Sequence, residues 1–136
     1  MNTPQKILVV DDDPVNRDLF QLMLSELGFI IEEVGDGTDA LEKLKVFLPD
    51  LILLDNIMPR MSGFELTKIL KEDPKYRDIP IIMFSGLDDA QDKLSGLELG
   101  VNDYITKPFV FSDALERIKS VLRGPDTKTA PSGIAQ

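Results

Sequence analysis

Short apolar runs along the chain predict five β-strands. The runs are Ile7–Val10, Phe29–Val34, Leu51–Leu54, Ile79–Phe84 (interrupted by Pro80) and the weaker pair Tyr104–Ile105. The first, third and fourth runs are almost continuously apolar, which is typical of strands buried on both faces of a parallel sheet. The second run contains Glu32 and Glu33, so we predict that it forms an edge strand.

Between these runs, apolar residues follow a helical period in five segments. The predicted helices are Pro14–Leu27, Thr38–Phe47, Gly63–Lys71, Asp88–Leu99 and Phe111–Arg123. The first has Asp13 as a suitable N-cap, Pro14 as a suitable first residue and Gly28 just beyond its end. Strand and helix alternate five times, which predicts a doubly wound α/β fold of flavodoxin-like type, with helices on both faces of a parallel sheet. Five strands fit the order 2-1-3-4-5.

The last residues differ in composition from the rest of the chain. Residues 124–136 are rich in Gly, Pro, Ser and Thr and show no apolar period. This pattern predicts a disordered tail or linker after one domain at residues 1–123. With no effector domain after residue 123, we expect either a protein that works alone through protein contacts or an excised domain with its linker.

Composition excludes several kinds of chemistry. The 136 residues include no Cys and no His, which rules out disulfides, thiolate zinc sites and the Ser/His/Asp triad. Any metal must be held by oxygen, which favours Mg²⁺, Ca²⁺ or Mn²⁺. The net charge of −9 argues against direct nucleic-acid binding. No apolar run approaches the roughly 18 residues of a membrane span, and residues 1–5 do not resemble a signal peptide, so a cytoplasmic protein is expected.

Polar residues follow the predicted strands at their carboxyl ends. They are Asp11, Asp12 and Asp13 after strand 1, Asp55 after strand 3, Ser85 and Gly86 after strand 4, and Thr106, Lys107 and Pro108 after strand 5. In the predicted topology these ends meet at one edge of the sheet. Two carboxylates ~4 Å apart repel by about 4 kcal/mol at an effective dielectric of 20. A hard divalent cation and Lys107 would relieve this repulsion, and Asp55 is the best candidate for a nucleophile that accepts a phosphoryl group.

Each of these residues also has a purely structural explanation. The three aspartates can serve as a helix N-cap, Asp55 and Ser85–Gly86 can be turn residues, and Lys107 can be a solvated loop residue. Their placement at one edge of one predicted sheet is what favours a functional site.

The sequence resembles the receiver domains of bacterial two-component response regulators, including the single-domain chemotaxis type. The matching segments are Lys6–Asp13, Pro49–Asp55, Met58–Pro59, Met61–Gly63, Pro80–Gly86 and Asp103–Phe109. The likeness spans about residues 5–123. The predicted strand order rests partly on it, since a chemotaxis receiver is a standard example of the 2-1-3-4-5 fold.

The resemblance implies a phosphoacceptor and a metal site. Asp55 would accept the phosphoryl group from a sensor histidine kinase or a histidine phosphotransfer protein. Mg²⁺ would be bound directly by Asp12, mainly through water by Asp11, and also by Asp55 and the backbone carbonyl of Ile57. Mn²⁺ is a possible substitute. Self-phosphorylation and autodephosphorylation are the only catalysis implied.

The resemblance also implies a switch. Lys107 would pair with Asp55 before phosphorylation and contact the phosphoryl group afterwards, helped by the Gly86 amide. The hydroxyl of Ser85 would move to meet a phosphoryl oxygen, and Tyr104 would turn inward when it does. Helix 4, strand 5 and helix 5 would form the surface read by an unknown downstream protein, as a monomer or a phosphorylation-dependent dimer. A cis peptide is expected at Lys107–Pro108.

Some positions depart from the family's commonest form or vary within it. Asn56 stands where an apolar residue is common. Ile57 and Leu87, at the positions that flank the hydrolytic water, are apolar and predict slow self-dephosphorylation. Val15 and Leu22 on the first helix belong either to a kinase-docking patch or to the edge of the core.

Two other functional classes remain possible from the sequence. A Mg²⁺-dependent phosphohydrolase with an aspartyl nucleophile typically has Asp-x-Asp after strand 1 and a cap domain, whereas adjacent aspartates and no cap are seen here. A flavin-binding flavodoxin-like protein would need Ser, Thr or Gly amides in the first loop, which is acidic here.

Overall fold

A computed structural model describes residues 3–86 and 90–123, with side chains placed for all of these except 90–93. Within this part of the chain the strands are β1 (Lys6–Val10), β2 (Ile30–Val34), β3 (Leu51–Asp55), β4 (Ile81–Ser85) and β5 (Asp103–Thr106). The helices are α1 (Pro14–Ser25), α2 (Gly37–Leu44), α3 (Gly63–Glu72), α4 (Ala90–Leu99) and α5 (Phe111–Arg123). The predicted alternation of strand and helix is confirmed.

The strands form one parallel sheet in the order β2-β1-β3-β4-β5, as predicted. β2 lies at one edge, in agreement with its two glutamates. β1 and β4 flank β3, with Val10 opposite Leu54 and Phe84 opposite Asp55. β5 lies beside β4, with Thr106 opposite Ser85. The carboxyl ends of β1, β3, β4 and β5 therefore form one continuous rim.

Both faces of the sheet are covered by helices. On one face, buried residues of α2 and α3 such as Ala40 and Leu66 pack on Leu8 and Ile52. On the other face, buried residues of α1 and α5 pack on the alternate strand positions; they include Phe20, Leu24, Ala114 and Ile118. Alternate side chains of a strand point to opposite faces, so the almost continuously apolar runs supply both cores at once.

Several boundaries differ from the prediction. α1 ends at Ser25 rather than at Leu27, and the chain leaves it through Gly28, whose positive φ of 97° suits a glycine at a helix end. α2 covers Gly37–Leu44 and is shorter than predicted, because the first two amides after it, of Lys45 and Val46, bond three residues back and tighten the last turn. β4 starts only after Pro80, which has no amide hydrogen to donate to a neighbouring strand.

Some predictions fall outside the described residues. These are the tail at residues 124–136, the start of the fourth helix at Asp88 and the position of Leu87. Among the helices that are described, none combines the length and the apolar composition needed to cross a membrane.

Candidate phosphoryl-acceptor and metal site

Three carboxylates meet where β1 and β3 end side by side. One carboxylate oxygen from each of Asp11, Asp12 and Asp55 lies within 4.8 Å of the other two. Asp11 and Asp55 are 4% and 6% exposed, whereas Asp12 is exposed. Parallel neighbouring strands bring their carboxyl ends to the same rim, so the sheet itself places these side chains together.

Lys107 brings one positive charge to this cluster from the end of β5. Its Nζ lies 3.3 Å from Oδ1 of Asp55 and 3.9 Å from Oδ2 of Asp11. Its amide donates to the carbonyl of Ser85 at 2.6 Å, which ties the residue to the end of β4. The peptide bond between Lys107 and Pro108 is cis, as the family resemblance implies.

A single ammonium does not offset the burial of the carboxylates. Burial raises the pKa of Asp55 to about 6, with Lys107 opposing the rise and the charge of Asp11 adding to it. Burial also raises the pKa of Asp11, against its hydrogen bond from the Asp13 amide and the charge of Lys107. Three clustered carboxylate ligands beside one lysine suit a hard divalent cation, which prefers oxygen donors. The donor set therefore fits Mg²⁺.

Asp11 is held by groups that the sequence alone did not single out. The Asp13 amide donates to its Oδ1 at 2.9 Å, and Asn16 Nδ2 donates to its Oδ2 at 3.3 Å. Arg17 Nη1 donates to its backbone carbonyl at 2.7 Å, and Arg17 Nε pairs with Glu33 at 3.3 Å. The sequence did contain one indication that Arg17 has a specific partner. A positive charge near a helix N-terminus is unfavourable to the helix dipole, so an arginine there is expected to be stabilised by another contact.

The structural explanation of the three aspartates holds for the third of them. Asp13 is the N-cap of α1, with its Oδ1 accepting from the amide of Val15 at 2.9 Å. Asp11 and Asp12 are left to the cluster. The run of three aspartates thus divides into two residues of the carboxylate cluster and one helix cap.

The other predicted site residues lie around the same rim. Ser85 ends β4 and is completely buried. Gly86 is exposed and has open space where a side chain would begin. It lines a cavity of about 520 Å³ together with Asn16, Lys107 and apolar residues that include Phe20 and Phe109. Ile57 follows two residues after Asp55 with its side chain 55% exposed.

Tyr104 occupies an inward position. It is 2% exposed, and its ring packs so closely on α4 that a Cβ added to Gly96 would lie 3.1 Å from Cδ2 of the tyrosine and 3.3 Å from Cε1 of Phe64. Its hydroxyl is buried and has no hydrogen-bond partner among the described residues. The ring is therefore held by packing.

Val15 and Leu22 lie on an exposed apolar face of α1. They are 70% and 58% exposed, and Leu19 between them is 49% exposed. None of the three is among the partly buried residues that pack on the core of this side of the sheet.

Comparison with known proteins places this chain in one family. Residues 7–119 match the family model of the response regulator receiver domain. The phosphate regulon transcriptional regulatory protein PhoB of Klebsiella pneumoniae is 40% identical over 119 residues, covering 88% of this chain and 52% of that protein. The chain thus spans about half the length of that relative. The chain belongs to the response regulator receiver domain family.

Solved structures agree with this assignment. The chemotaxis protein CheY4 of Vibrio cholerae has a TM-score of 0.82 and 30% identity, covering 88% of this chain and 99% of that one. The receiver domain of a sensor histidine kinase from Pseudomonas aeruginosa has a TM-score of 0.80 and 30% identity, covering 90% of this chain and 100% of that one. That structure has a magnesium ion coordinated in its active-site cleft.

The family assigns the chain to two-component signalling, in which an aspartate of the receiver domain is phosphorylated. Receiver domains belong to signalling regulators and are not conventional enzymes. The match does not favour the phosphohydrolase alternative.

Proposed function

We propose that this domain receives a phosphoryl group on Asp55 and reports it through the surface formed by α4, β5 and α5. The observation that carries the proposal is the placement of Asp55, a buried carboxylate at the end of a central strand with Lys107 Nζ at 3.3 Å. The strand fixes the backbone of the nucleophile, and the lysine supplies a compact positive charge for an oxygen of the incoming group.

The transfer itself needs a carboxylate in its ionised form. An oxygen of Asp55 attacks the phosphorus of a phosphohistidine, the P–N bond breaks, and its electron pair stays on the imidazole nitrogen. Since burial raises the pKa of Asp55 to about 6, the carboxylate is mostly ionised at neutral pH and is more basic than an ordinary aspartate. Lys107 can move from the carboxylate to the phosphoryl oxygens as negative charge shifts onto them.

Mg²⁺ fits the cluster as the resident metal, and Mn²⁺ is a possible substitute. Asp12 would bind it directly, Asp11 mainly through water, and Asp55 and the Ile57 carbonyl would complete the protein's share. Mg²⁺ supplies charge neutralisation between carboxylates and a phosphoryl group. The contacts of Asp11 with Asn16 and Arg17 support this assignment, since groups that orient a ligand raise metal affinity.

The signal would pass from the phosphoryl group to the surface through Ser85 and Tyr104. Ser85 is short and lies at the rim, and Gly86 is exposed with no atom within 4 Å of the place of a Cβ, so its amide would help hold the phosphoryl group. Tyr104 connects β5 with α4 through its contact with Gly96. A phosphoryl group adds about −1.5 to −2 charge, enough to bias a two-state element.

The proposed partners follow from this signalling role. The phosphodonor is a sensor histidine kinase or a histidine phosphotransfer protein, which would dock against the exposed apolar face of α1. The output is a protein contact made as a monomer or as a phosphorylation-dependent dimer, without direct nucleic-acid binding by this domain. We propose a cytoplasmic location for the domain at residues 1–123 and a linker or tail role for residues 124–136.

The proposal is tested by covalent labelling. With Mg²⁺ and acetyl phosphate, the wild-type protein should form an acid-labile phosphoryl adduct in one-to-one ratio, detected by intact-protein mass spectrometry. Asp55→Ala should form none, and omission of the divalent cation should reduce the yield at least tenfold, with Mn²⁺ restoring part of it. Labelling of Asp55→Ala to the same extent, or repeated turnover of a phosphate ester, would overturn the proposal.

A second test concerns the lifetime of the phosphoryl group. We propose slow self-dephosphorylation, because Ile57 and Leu87 offer no polar group to orient the attacking water. Of these two, only Ile57 lies among the described residues. The Ile57→Asn, Leu87→Glu double variant should lose its phosphoryl group several-fold faster than the wild type in a pulse-chase measurement. A wild-type protein that loses it faster than this variant would contradict the proposal.

A further inference from the structure

We infer that Asn56 is a positioning residue for the metal site. It lies between the phosphoacceptor Asp55 and Ile57, and its hydrogen bonds connect this part of the chain to the start of α3. The inference rests on the proposed function. Asn56 is 7% exposed and follows Asp55 directly. Its amide donates to the carbonyl of Phe84 at 2.8 Å, which continues the pairing of β3 with β4 by one residue.

The other two hydrogen bonds of Asn56 reach α3. Its backbone carbonyl accepts from the Gly63 amide at 2.8 Å, and its side-chain Oδ1 accepts from the Phe64 amide at 3.2 Å. Three hydrogen bonds thus hold Asn56, one to β4 and two to α3.

The hydrogen bonds from Asn56 also complete the N-terminal cap of α3. A helix begins with four amides that have no partner within the helix. Here the capping box takes two of them, as Glu65 Oε1 accepts from Ser62 at 2.8 Å and Ser62 Oγ accepts from Glu65 at 3.1 Å. Asn56 takes the other two, from Gly63 and Phe64. Every amide of the first turn therefore has a partner, and half of the partners are atoms of Asn56.

Ile57 depends on this fastening. It is the next residue, its side chain is 55% exposed, and its carbonyl is a proposed ligand of the metal. A side chain with so little packing does little to fix its own backbone, so the carbonyl is held from both sides. Met58 after it is 9% exposed and packs in the core, and Asn56 before it supplies the hydrogen bonds. An apolar residue in place of Asn56 would leave the Phe64 amide without its partner and loosen one of the three attachments.

A pair of alanine variants separates positioning from helix capping. Asn56→Ala removes the acceptor of the Phe64 amide, and Ser62→Ala removes the acceptor of the Glu65 amide in the same helix turn. Both variants should melt at lower temperature than the wild type. Only Asn56→Ala should weaken Mg²⁺ binding, by roughly tenfold or more as is usual for groups that orient a ligand. Mg²⁺ affinity is measured by isothermal titration calorimetry, without any phosphodonor.

A conservative variant adds a second criterion. Asn56→Asp keeps an oxygen acceptor in the same place, so its Mg²⁺ affinity should be at least that of the wild type. If Asn56→Ala does not fold, Asn56→Ser takes its place, because its shorter side chain also loses contact with the Phe64 amide.

The outcomes are distinct. Equal Mg²⁺ affinity in Asn56→Ala and Ser62→Ala, or an Asn56→Asp variant as weak as Asn56→Ala, would show that Asn56 only caps the helix and would overturn the inference. A wild-type protein that does not bind Mg²⁺ at all would overturn the proposed metal site itself, and the inference with it.

Discussion

Asp55→Asn is expected to stabilise the metal-free protein against unfolding by about 3 kcal/mol at pH 8. The wild-type carboxyl has its pKa raised to about 6 by burial, whereas an unfolded aspartate titrates near 3.9. Keeping this group ionised in the folded protein therefore costs about 1.4 kcal/mol for each pKa unit between the folded and unfolded states, or about 3 kcal/mol in all. Asparagine has nearly the same shape and carries no charge, so it avoids this cost.

The sign of the pH dependence follows from the same values. A carboxyl whose pKa is higher in the folded protein is protonated more readily there than in the unfolded chain. The protonated carboxyl contributes favourably to the free energy of unfolding. This contribution is complete below about pH 4 and is lost as the pH rises through about 6. The wild type should therefore lose stability over this interval, while Asp55→Asn should lose less. The difference between the two should grow with pH and then level off.

Urea unfolding followed by far-ultraviolet circular dichroism between pH 4 and 8 measures this difference. Asp12→Asn is the matched control, since Asp12 belongs to the same cluster but is exposed, and its gain should be smaller. Added Mg²⁺ should narrow the gap by stabilising the wild type, because a ligand that binds only the folded state raises its stability. A gap that shrinks with rising pH would contradict the expectation.

Gly63→Ala is expected to lower the free energy of unfolding by about 3 kcal/mol, the upper part of the range for overpacked sites. A Cβ on Gly63 would lie 2.8 Å from Asn56 Cα and 2.8 Å from the carbonyl oxygen of Asp55. Both atoms belong to the backbone, so neither can turn away. Alanine would gain at most about 1 kcal/mol of helix propensity in return, which is too little to compensate.

Gly37→Ala provides the comparison at the start of α2. A Cβ there would meet Sδ of Met61 at 2.6 Å and two further atoms of the same side chain. A rotamer change of methionine moves Sδ and Cγ and leaves only its Cβ, at 3.1 Å, in a tight contact. This substitution should therefore cost clearly less than Gly63→Ala. Urea unfolding of both variants measures the difference. Equal costs, or a stabilised Gly63→Ala, would show that the turn after Asp55 can yield.

The alternation of apolar periods was enough to predict every described element of the fold. Short, almost continuous apolar runs indicated the strands, and a period near 3.6 indicated the helices. The order of the strands could not come from periodicity, because each buried strand has the same pattern; it rested partly on the family resemblance. The ends of α1 and α2 were misplaced since apolar residues such as Leu27 and Phe47 continue the pattern after the helical hydrogen bonds have stopped.

The residues of the site were predictable from their places at strand ends, but their supports were not. Asn16 and Arg17 lie on a helix with a plain amphipathic pattern, and only the docking of α1 beside the rim brings them to Asp11. Asn56 was noted as a departure from the family, yet its contact with Phe64 spans eight residues and depends on the loop between β3 and α3. Such contacts depend on tertiary geometry that no local pattern records.

The buried hydroxyl of Tyr104 bears on the energy available to the proposed switch. Packing against Gly96 favours the inward ring, but a buried hydroxyl without a partner costs about 1–3 kcal/mol. The two contributions oppose each other, so the unpaired hydroxyl reduces the free energy by which the inward position is favoured. A smaller difference takes less energy to reverse, on a scale where about 5.5 kcal/mol converts a 1:99 population into 99:1. The missing hydrogen bond would thus make the ring easier to move by a signal at the rim.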